Sequence, residues 1–492
     1  MKHNIKIRLP KDTYRDSVYG CWIGKNIGGT IGTPYEGKRE ELDVKGFVTE
    51  AGAPLPNDDL DLQLAWLYLV EKEGSRAVNC RTLGEYWMNL IMPHWNEYGL
   101  GKNNMRRGIA PPMSGDYDND WKDSNGAWIR TEIWACLAPA CPDLAAKFAL
   151  EDARVDHGAG EGTYAAIFVA AMQSAAFAVK DVRRCIEVGL AEIPAECRVA
   201  DSVRTVLACY DEGKTARETR NVILARNADI GDGWFEAPSN VAYALIGLLW
   251  GEGDFKKSMI AAVNCGDDTD CTCATVGATM GILYGSAGIP DDWRAYIGDE
   301  IITISVNKAD EWAGRRVPKT CTELTDRVCA QAPYTLFANH ASTVIGDFED
   351  ETPEGAEELL LDKCNKLRIE TVFKPFTAHY ESDCLIADTV LDRAPEIAPE
   401  GEIGVVAYVR AHRSLGDDIL NLKCRWWLPE GFSVEGRKTA ILPNINPHEK
   451  GIVTLNFKLR AGENVDQINR CVLEIVAEGR FASLYIPVVL LG

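Results

Sequence analysis

The spacing of the apolar residues changes once along this 492-residue chain, and that change sets the fold class. From about residue 12 to residue 330 apolar side chains recur every three or four positions, as in LDLQLAWLYLVEKEG and SNVAYALIGLLWGEG, which indicates helices with a buried face. After about residue 372 the spacing becomes two, as in GEIGVVAYVRAHR and GIVTLNFKLRAG, which is typical of strands. The sequence therefore predicts a mainly all-α domain followed by a C-terminal antiparallel β-sandwich of immunoglobulin-like type.

The predicted domains follow from the same change. We place a helical domain at residues 1–335, an acidic linker with a short helix at 336–372, and an accessory β-sandwich at 373–492. In the sandwich, KCRWWLPEGFSV carries Trp426 and Trp427, and an alternating strand turns neighbouring side chains to opposite faces. One ring is therefore expected at the surface, where it serves an interdomain contact, with carbohydrate binding or a homodimer surface as alternatives.

Charge and composition argue against several classes of protein. The net charge of −21 and the pI near 4.9 disfavour a nucleic acid as the partner, because phosphate binding needs a basic surface. The N-terminus has no apolar signal segment, and the most apolar window, residues 163–180, contains Gln173, so we expect a cytoplasmic protein without a membrane span. The sixteen cysteines include no CxxC pair, and we expect them to be reduced.

Two acidic clusters stand directly before apolar helices, one in PNDDLDLQLAWLYLV and one in NCGDDTDCTCATVGATMGILYG. Their polar residues are Asn57, Asp58, Asp59, Asp61, Asp267, Asp268 and Asp270. A helix N-cap and the helix dipole account for one or two carboxylates in each cluster. The remaining charges repel one another unless a cation lies between them, so the recurrence predicts a divalent-cation site formed by both segments.

A third segment, GCWIGKNIGGTIGTPYEG, is rich in small residues. Glycines recur every four residues from Gly20 to Gly28, and again from Gly277 to Gly285 after the second acidic cluster. Both helices are therefore expected to pack very closely against a neighbour. A turn after the first helix presents Glu36, and the glycine spacing is neither that of a dinucleotide fold nor that of a P-loop.

In this order the motifs resemble the ADP-ribosylglycohydrolase family, which includes the glycohydrolase that reactivates ADP-ribosylated dinitrogenase reductase. The resemblance covers about residues 12–330. It rests on the glycine segment that ends at Glu36, on residues 57–59 in place of the family's Thr-Asp-Asp, and on residues 266–271 in place of its Gly-x-Asp-x-Asp-Thr. NGAWIR and DHGAGEGTYAAIFVAAM are similar to the segments between them.

The resemblance implies an all-α fold, a central cleft with two Mg²⁺ ions, and hydrolysis of the glycosidic bond between ADP-ribose and a protein side chain or small molecule. Mn²⁺ and Ca²⁺ are alternative ions. It further implies that the metal ligands are Asp58, Asp59, Asp268 and Asp270. Glu36 is expected near the scissile bond. Either Glu36 or an aspartate not fully committed to metal, Asp59 or Asp268, is expected to act as base or acid.

The chain departs from the family pattern at three positions. Asn57 and Cys271 stand where the family places a hydroxyl ligand, and Lys25 stands where the family often has an acidic residue. Asn57 still offers a carbonyl oxygen to a hard cation, whereas the sulfur of Cys271 suits Mg²⁺ poorly. Either Thr272 replaces Cys271 as a ligand, or the second site is altered, or it takes another ion.

Four further residues are candidate substrate contacts, each with a simpler structural alternative. His157 is expected either in the cleft or as a structural hydrogen-bonding group, and Glu161 either at the substrate or exposed to solvent. Arg130 pairs either with a ligand phosphate or with a neighbouring carboxylate, and Trp128 either stacks on a ligand or packs in the core. Two other functions remain open: hydrolysis of another glycoside or nucleoside, and binding of ADP-ribose without turnover.

Overall fold

The computed structural model describes residues 7–231, 234–307, 316–349, 356–362, 374–411, 420–442 and 451–492. These residues fall into two compact units. One lies within Met1–Gly99 and Asp120–Lys366, and the other within Leu100–Asn119 and Leu367–Gly492.

The first unit is mainly helical, as the apolar periodicity predicts. It contains the helices of the described residues except Met113–Asp116 and the part of Asn96–Arg106 that follows Gly99. The helices of the described residues are, in chain order, α1 (Lys11–Gly32), α2 (Asp58–Glu73), α3 (Cys80–Leu90), α4 (Asn96–Arg106), α5 (Met113–Asp116), α6 (Glu132–Leu137), α7 (Pro142–Ala153), α8 (Glu161–Ala176), α9 (Val182–Ala191), α10 (Arg198–Asp211), α11 (Ala216–Arg226), α12 (Ala237–Trp250), α13 (Phe255–Val263), α14 (Thr269–Tyr284), α15 (Asp291–Ile297), and two further helices at Cys321–Ala338 and Ala356–Asp362. Short 3₁₀ turns occur at Thr33–Tyr35, Ser75–Ala77, Trp128–Arg130 and Ser286–Gly288.

The two glycine-rich helices pack against each other, which confirms the expected close approach. A Cβ atom added at Gly24 would lie 2.0 Å from the carbonyl oxygen of Gly277, and one added at Gly20 would lie 2.6 Å from that of Gly281. Because only glycine permits this backbone contact, the glycine spacing fixes the separation of α1 and α14. The first helix leads through a 3₁₀ turn to Glu36, and the second begins at the acidic cluster.

A short parallel sheet was not expected from the sequence. It joins β1 (Ile7–Pro10) to β2 (Thr343–Gly346), so segments on either side of the helical region pair with each other. Strands of four residues are too short for a clear alternation. The helix Ala356–Asp362 falls inside the predicted linker 336–372, while residues 350–355 and 363–373 lie outside the described part of the chain.

The C-terminal region forms two antiparallel sheets. The strands are β3 (Thr377–Glu381), β4 (Leu385–Leu391), β5 (Glu402–Ala411), β6 (Leu420–Trp427), β7 (Ser433–Gly436), β8 (Thr439–Leu442), β9 (Val453–Arg460), β10 (Ile468–Ala477) and β11 (Ser483–Leu491). One sheet has the order β11-β10-β6-β8, and the other has the order β3-β4-β5-β9-β7. The alternating segments of the sequence correspond to β5, β6, β9, β10 and β11.

The two sheets share one hydrophobic core. Alternate residues of β5 and β10, such as Val405 and Leu473, are completely buried in it. Ile109 and Met113 also belong to this core, so Leu100–Asn119 groups with the sandwich although the predicted division lies far from it. The sequence does not indicate this grouping, because the apolar residues Ile109 and Met113 lie within a helical region far from the strands in the chain.

The alternation of β6 separates the neighbouring tryptophans as expected. Trp426 packs at the edge of the core against Phe457, with ring centroids 5.3 Å apart. Trp427 is 48% exposed, and the guanidinium of Arg425 lies 3.7 Å from its ring centroid. Among the helices described, none is both long and apolar enough to cross a membrane, and residues 163–176 of the most apolar window lie in the buried helix α8.

Candidate active site

Carboxylates from three separate segments converge at the N-termini of α2 and α14. One oxygen each of Glu36, Asp268 and Asp270 lie within 4.8 Å of one another. One oxygen each of Asp59 and Asp270 and the sulfur of Cys271 form a second group of the same size. Because Asp270 belongs to both groups, the two form one continuous cluster.

Hydrogen bonds fix the segment that carries Glu36 relative to the start of α14. The hydroxyl of Thr269 donates to the carbonyl of Gly32 at 2.9 Å, which ties the start of α14 to the end of α1. The N–H of Gly37 donates to the carbonyl of Asp267 at 2.8 Å, and Lys38 pairs with Asp267 in an antiparallel bridge. The loop that carries Glu36 is therefore held beside the aspartates by main-chain bonds.

The clustered charges strongly disfavour one another. The charge of Asp270, then partial desolvation by the surrounding protein, and then the charge of Asp58 raise the pKa of the Glu36 carboxyl to about 8. Burial and then the charge of Asp270 raise the pKa of Asp58 to about 6, although the hydroxyl of Tyr98 donates to Asp58 at 3.3 Å. Such mutual repulsion is the electrostatic condition that a divalent cation relieves.

The donor set fits a cation on geometric grounds as well. Asp59 is completely buried and Asp270 is 6% exposed. Asp59 Oδ2 and Asp270 Oδ1 nevertheless accept no hydrogen bond from the residues that the structure describes. Since leaving a buried carboxylate oxygen unpaired is costly, these two atoms are available to a metal ion.

The structure gives each of the three uncertain ligand candidates a definite position. Asn57 is the N-cap of α2, where its Oδ1 atom accepts from the N–H of Asp59 at 2.8 Å. The Cys271 thiol donates to Asp59 Oδ1 at 3.4 Å, and burial, followed by the charge of Asp268, raises its pKa well above the usual range. The Thr272 hydroxyl donates to the carbonyl of Thr269 at 3.2 Å, within its own helix.

Asp61 and Asp267 belong to the two acidic sequence segments, but their carboxylates bind other parts of the protein. Asp61 accepts hydrogen bonds from the N–H groups of Ile304 and Ser305, and it therefore holds a loop. Asp267 accepts from the Nδ2 atom of Asn240 at 2.9 Å. Adjacent residues at the start of a helix point in different directions. The spacing of the residues in the sequence therefore does not show which carboxylates face the cluster.

Asn125 is a site residue that the sequence reasoning missed. Its Nδ2 atom donates to Asp268 Oδ2 at 2.6 Å, and its Oδ1 atom accepts from the indole N–H of Trp128 at 2.9 Å. Trp128 is completely buried, so we no longer propose it as a stacking surface for a ligand. The two residues instead orient a predicted metal ligand.

A buried polar network lies behind Asp59. Lys25 Nζ lies 3.0 Å from Glu132 Oε2, and both side chains are completely buried. Gln63 donates to the same Glu132 oxygen at 2.9 Å and to the carbonyl of Asp59 at 2.8 Å. Two sequence features could have indicated this network. Gln63 is a lone polar residue inside the apolar run LDLQLAWLYLV, and Lys25 stands where the family often has an acidic residue.

The model of the ADP-ribosylglycohydrolase family matches residues 10–326, which include every residue of this cluster. The chain belongs to the ADP-ribosylglycohydrolase family. It is 36% identical over 293 residues to the ADP-ribosylarginine hydrolase Tri1 of Pseudomonas putida (strain GB-1), a match that covers 56% of this chain and 73% of that protein. The chain is accordingly an ADP-ribosylglycohydrolase-like enzyme.

Two solved structures show weaker similarity. An ADP-ribosylglycohydrolase-related protein complex is 19% identical, with a TM-score of 0.44, over 65% of this chain and 99% of that one. A FixG-related protein from Vibrio parahaemolyticus is 11% identical, with a TM-score of 0.19, over 22% of this chain and 97% of that one.

Two of the expected substrate contacts of this ADP-ribosylglycohydrolase are buried in a structural network. Arg130 is completely buried, with its guanidinium 3.0 Å from Asp152 and 2.8 Å from Asp156. His157 is also completely buried, between Asp156 at 2.9 Å and the hydroxyl of Ser124 at 3.3 Å. Asp152 and Asp156 neutralise the guanidinium of Arg130, and both ring nitrogens of His157 face groups of the protein. Neither residue is therefore proposed as a ligand contact.

Glu161 has a structural position too, and it differs from both expectations for that residue. Its two oxygens accept from the N–H groups of Arg198 and Val199, each at 2.9 Å. The half-buried Glu161 carboxylate thereby caps the first turn of α10. Both oxygens are engaged by the backbone, and we do not carry Glu161 forward as a substrate residue.

Proposed function

We propose that this enzyme is a metal-dependent hydrolase that releases ADP-ribose from ADP-ribosylated arginine side chains of proteins. The observation that carries the proposal is the cluster of Glu36, Asp59, Asp268 and Asp270, which contains buried carboxylate oxygens without a hydrogen-bond partner among the described residues. Arginine is chosen as the linkage because the curated relative is named an ADP-ribosylarginine hydrolase.

Asp58, Asp59, Asp268 and Asp270 would hold two divalent cations, for which Mg²⁺ is the first candidate. When bound, such cations neutralise the clustered carboxylates, acidify a water molecule and bind the vicinal hydroxyls of a ribose. Asn125 would keep Asp268 oriented toward the cluster, and the buried Lys25 would moderate the negative charge near Asp59. The protein thereby supplies a rigid, largely dry set of oxygen ligands.

Glu36 would act as the proton carrier of the reaction. Its side chain is exposed at the edge of the cluster, where water and substrate have access, whereas Asp59, Asp268 and Asp270 are buried. The bond between ribose C1 and the guanidino nitrogen breaks, and a bond forms between C1 and the water oxygen. Glu36 takes one proton from the water and delivers it to the departing nitrogen, so the products are ADP-ribose and the unmodified arginine.

We further propose that the C-terminal unit is an accessory β-sandwich of immunoglobulin-like type. The exposed ring of Trp427 and its neighbour Arg425 would mark its interaction face, with a homodimer as one use of that face. The division at residues 335 and 373 and the cytoplasmic location also remain predictions.

The test is release of free ADP-ribose from arginine-linked and serine-linked ADP-ribosylated peptides, measured with Mg²⁺ and with a chelator. We expect metal-dependent release from the arginine-linked peptide and a loss of at least about 100-fold in kcat for Glu36→Gln. Tight binding of ADP-ribose without release would favour a binding protein. Absence of both binding and release would favour another glycoside or nucleoside as the substrate.

A further inference from the structure

The sulfur of Cys271 lies inside the carboxylate cluster. Cys271 is in the first turn of α14 and is 6% exposed. Its thiol donates to Asp59 Oδ1 at 3.4 Å, and its sulfur lies within 4.8 Å of an oxygen of Asp59 and an oxygen of Asp270. The sulfur therefore occupies a position from which it reaches the same ion as these two carboxylates.

A second observation indicates that an ion belongs at this point. Asp59 Oδ2 and Asp270 Oδ1 are buried and have no hydrogen-bond partner within the described part of the chain. Asp59 is completely buried and Asp270 is 6% exposed, so water does not readily compensate for the missing partners. A cation held by both carboxylates would satisfy these atoms.

The oxygen ligands that would replace the sulfur are engaged elsewhere. Asn57 Oδ1 accepts from the N–H of Asp59 at 2.8 Å, and the Thr272 hydroxyl donates to the carbonyl of Thr269 at 3.2 Å. Asn57 and Thr272 therefore already have hydrogen-bond partners, whereas the Cys271 sulfur lies beside the Asp59 and Asp270 carboxylates. The group of Asp59, Asp270 and Cys271 thus offers two oxygens and one sulfur.

The other group, Glu36, Asp268 and Asp270, offers oxygen only. Oxygen ligands suit Mg²⁺ and Mn²⁺, whereas a thiolate favours softer ions such as Zn²⁺. We infer that Cys271 is a metal ligand and that the site it forms with Asp59 and Asp270 prefers a borderline-soft ion of the class of Zn²⁺ or Co²⁺ over Mg²⁺. This inference rests on the proposed metal centre. It keeps Mg²⁺ as the first candidate at the oxygen-only group and replaces it at the group that contains Cys271. On coordination the thiol releases its proton to solvent.

Titration of the metal-free full-length protein with Co²⁺ tests the inference without any substrate. Thiolate coordination produces a sulfur-to-cobalt charge-transfer absorption, which oxygen ligands do not give. We expect this absorption in the wild type and in Cys273→Ser, a matched control whose thiol donates to the carbonyl of Met259 outside the cluster. Cys271→Thr should lose the absorption, and its affinity for Zn²⁺ relative to Mg²⁺ should fall by at least about tenfold.

An X-ray absorption measurement on the Zn²⁺-loaded wild type avoids any dependence on the folding of a variant. It should show a sulfur neighbour at about 2.3 Å. A coordination shell without sulfur would overturn the inference, and so would a cobalt absorption that persists in Cys271→Thr. Because these readouts need no turnover, they separate failure of the thiolate ligand from failure of the proposed hydrolysis.

Discussion

Replacing Gly24 with alanine should destabilise the helical unit although alanine is the better helix former. The added Cβ atom would lie 2.0 Å from Gly277 O and 2.5 Å from Gly277 C, and both are backbone atoms that no side-chain rotation can move. To restore an ordinary contact of about 3.4 Å, α1 and α14 would have to separate by about 1.4 Å locally.

The magnitude follows from two opposing effects. Alanine gains about 1 kcal/mol over glycine in a helix interior. Overpacking a tight contact costs about 1 to 3 kcal/mol, and the upper end applies because the obstacle is backbone. The net loss of about 2 kcal/mol should lower the melting temperature of the helical unit by about 3 °C. Separation of the helices also moves Glu36 away from Asp270, so the metal affinity should fall with it.

The assay is thermal unfolding of the metal-free full-length protein, followed by circular dichroism at the helical band. Gly46→Ala is the matched control, because no atom of the described residues lies within 4 Å of the position of its added Cβ. We expect that control to unfold within about 1 °C of the wild type. If Gly24→Ala unfolds at the same temperature as Gly46→Ala, the argument that this contact fixes the helix separation is refuted.

Two further predictions concern a positioning residue and the sandwich. Trp128→Phe removes the N–H that holds Asn125, so calorimetric titration should show metal affinity reduced by about tenfold; unchanged affinity would contradict this role. Burial raises the pKa of Asp388, but His379 and Arg410 outweigh it and hold the pKa at about 2. Because that value lies below the unfolded pKa of about 3.9, the ionised form stabilises the sandwich by up to about 2 kcal/mol above pH 4, and this contribution disappears as the pH falls toward 2. In urea unfolding, the stability difference between wild type and Asp388→Asn should shrink between pH 5 and pH 2.5; a constant difference would contradict it.

The sequence was informative where one periodicity or one spacing decides the outcome. The change from helical to alternating spacing predicted the helical region and the C-terminal antiparallel sheets, and the glycines around Gly24 and Gly277 predicted a close helix contact. The two acidic segments correctly pointed to the neighbourhood of the cluster. Each of these features depends on residues close together in the chain.

The remaining features depend on side-chain direction and on contacts between distant segments. Asp267 and Asp268 are neighbours in the chain, yet Asn240 binds the first and Asn125 binds the second. Arg130 has the charge expected of a phosphate contact, but the fold buries it against carboxylates that lie on another segment. The sequence of one segment does not show which residues of a distant segment will contact its side chains.

The central claim is that Asp268 and Asp270 belong to a catalytic metal centre while the adjacent Asp267 does not. The most direct measurement is the single-turnover rate of ADP-ribose release from an arginine-linked peptide at saturating Mg²⁺, compared between Asp268→Asn/Asp270→Asn and Asp267→Asn. We expect a loss of at least about 1,000-fold for the double variant and less than about tenfold for the control. A double variant within tenfold of the wild type, or a control as inactive as the double variant, would contradict it.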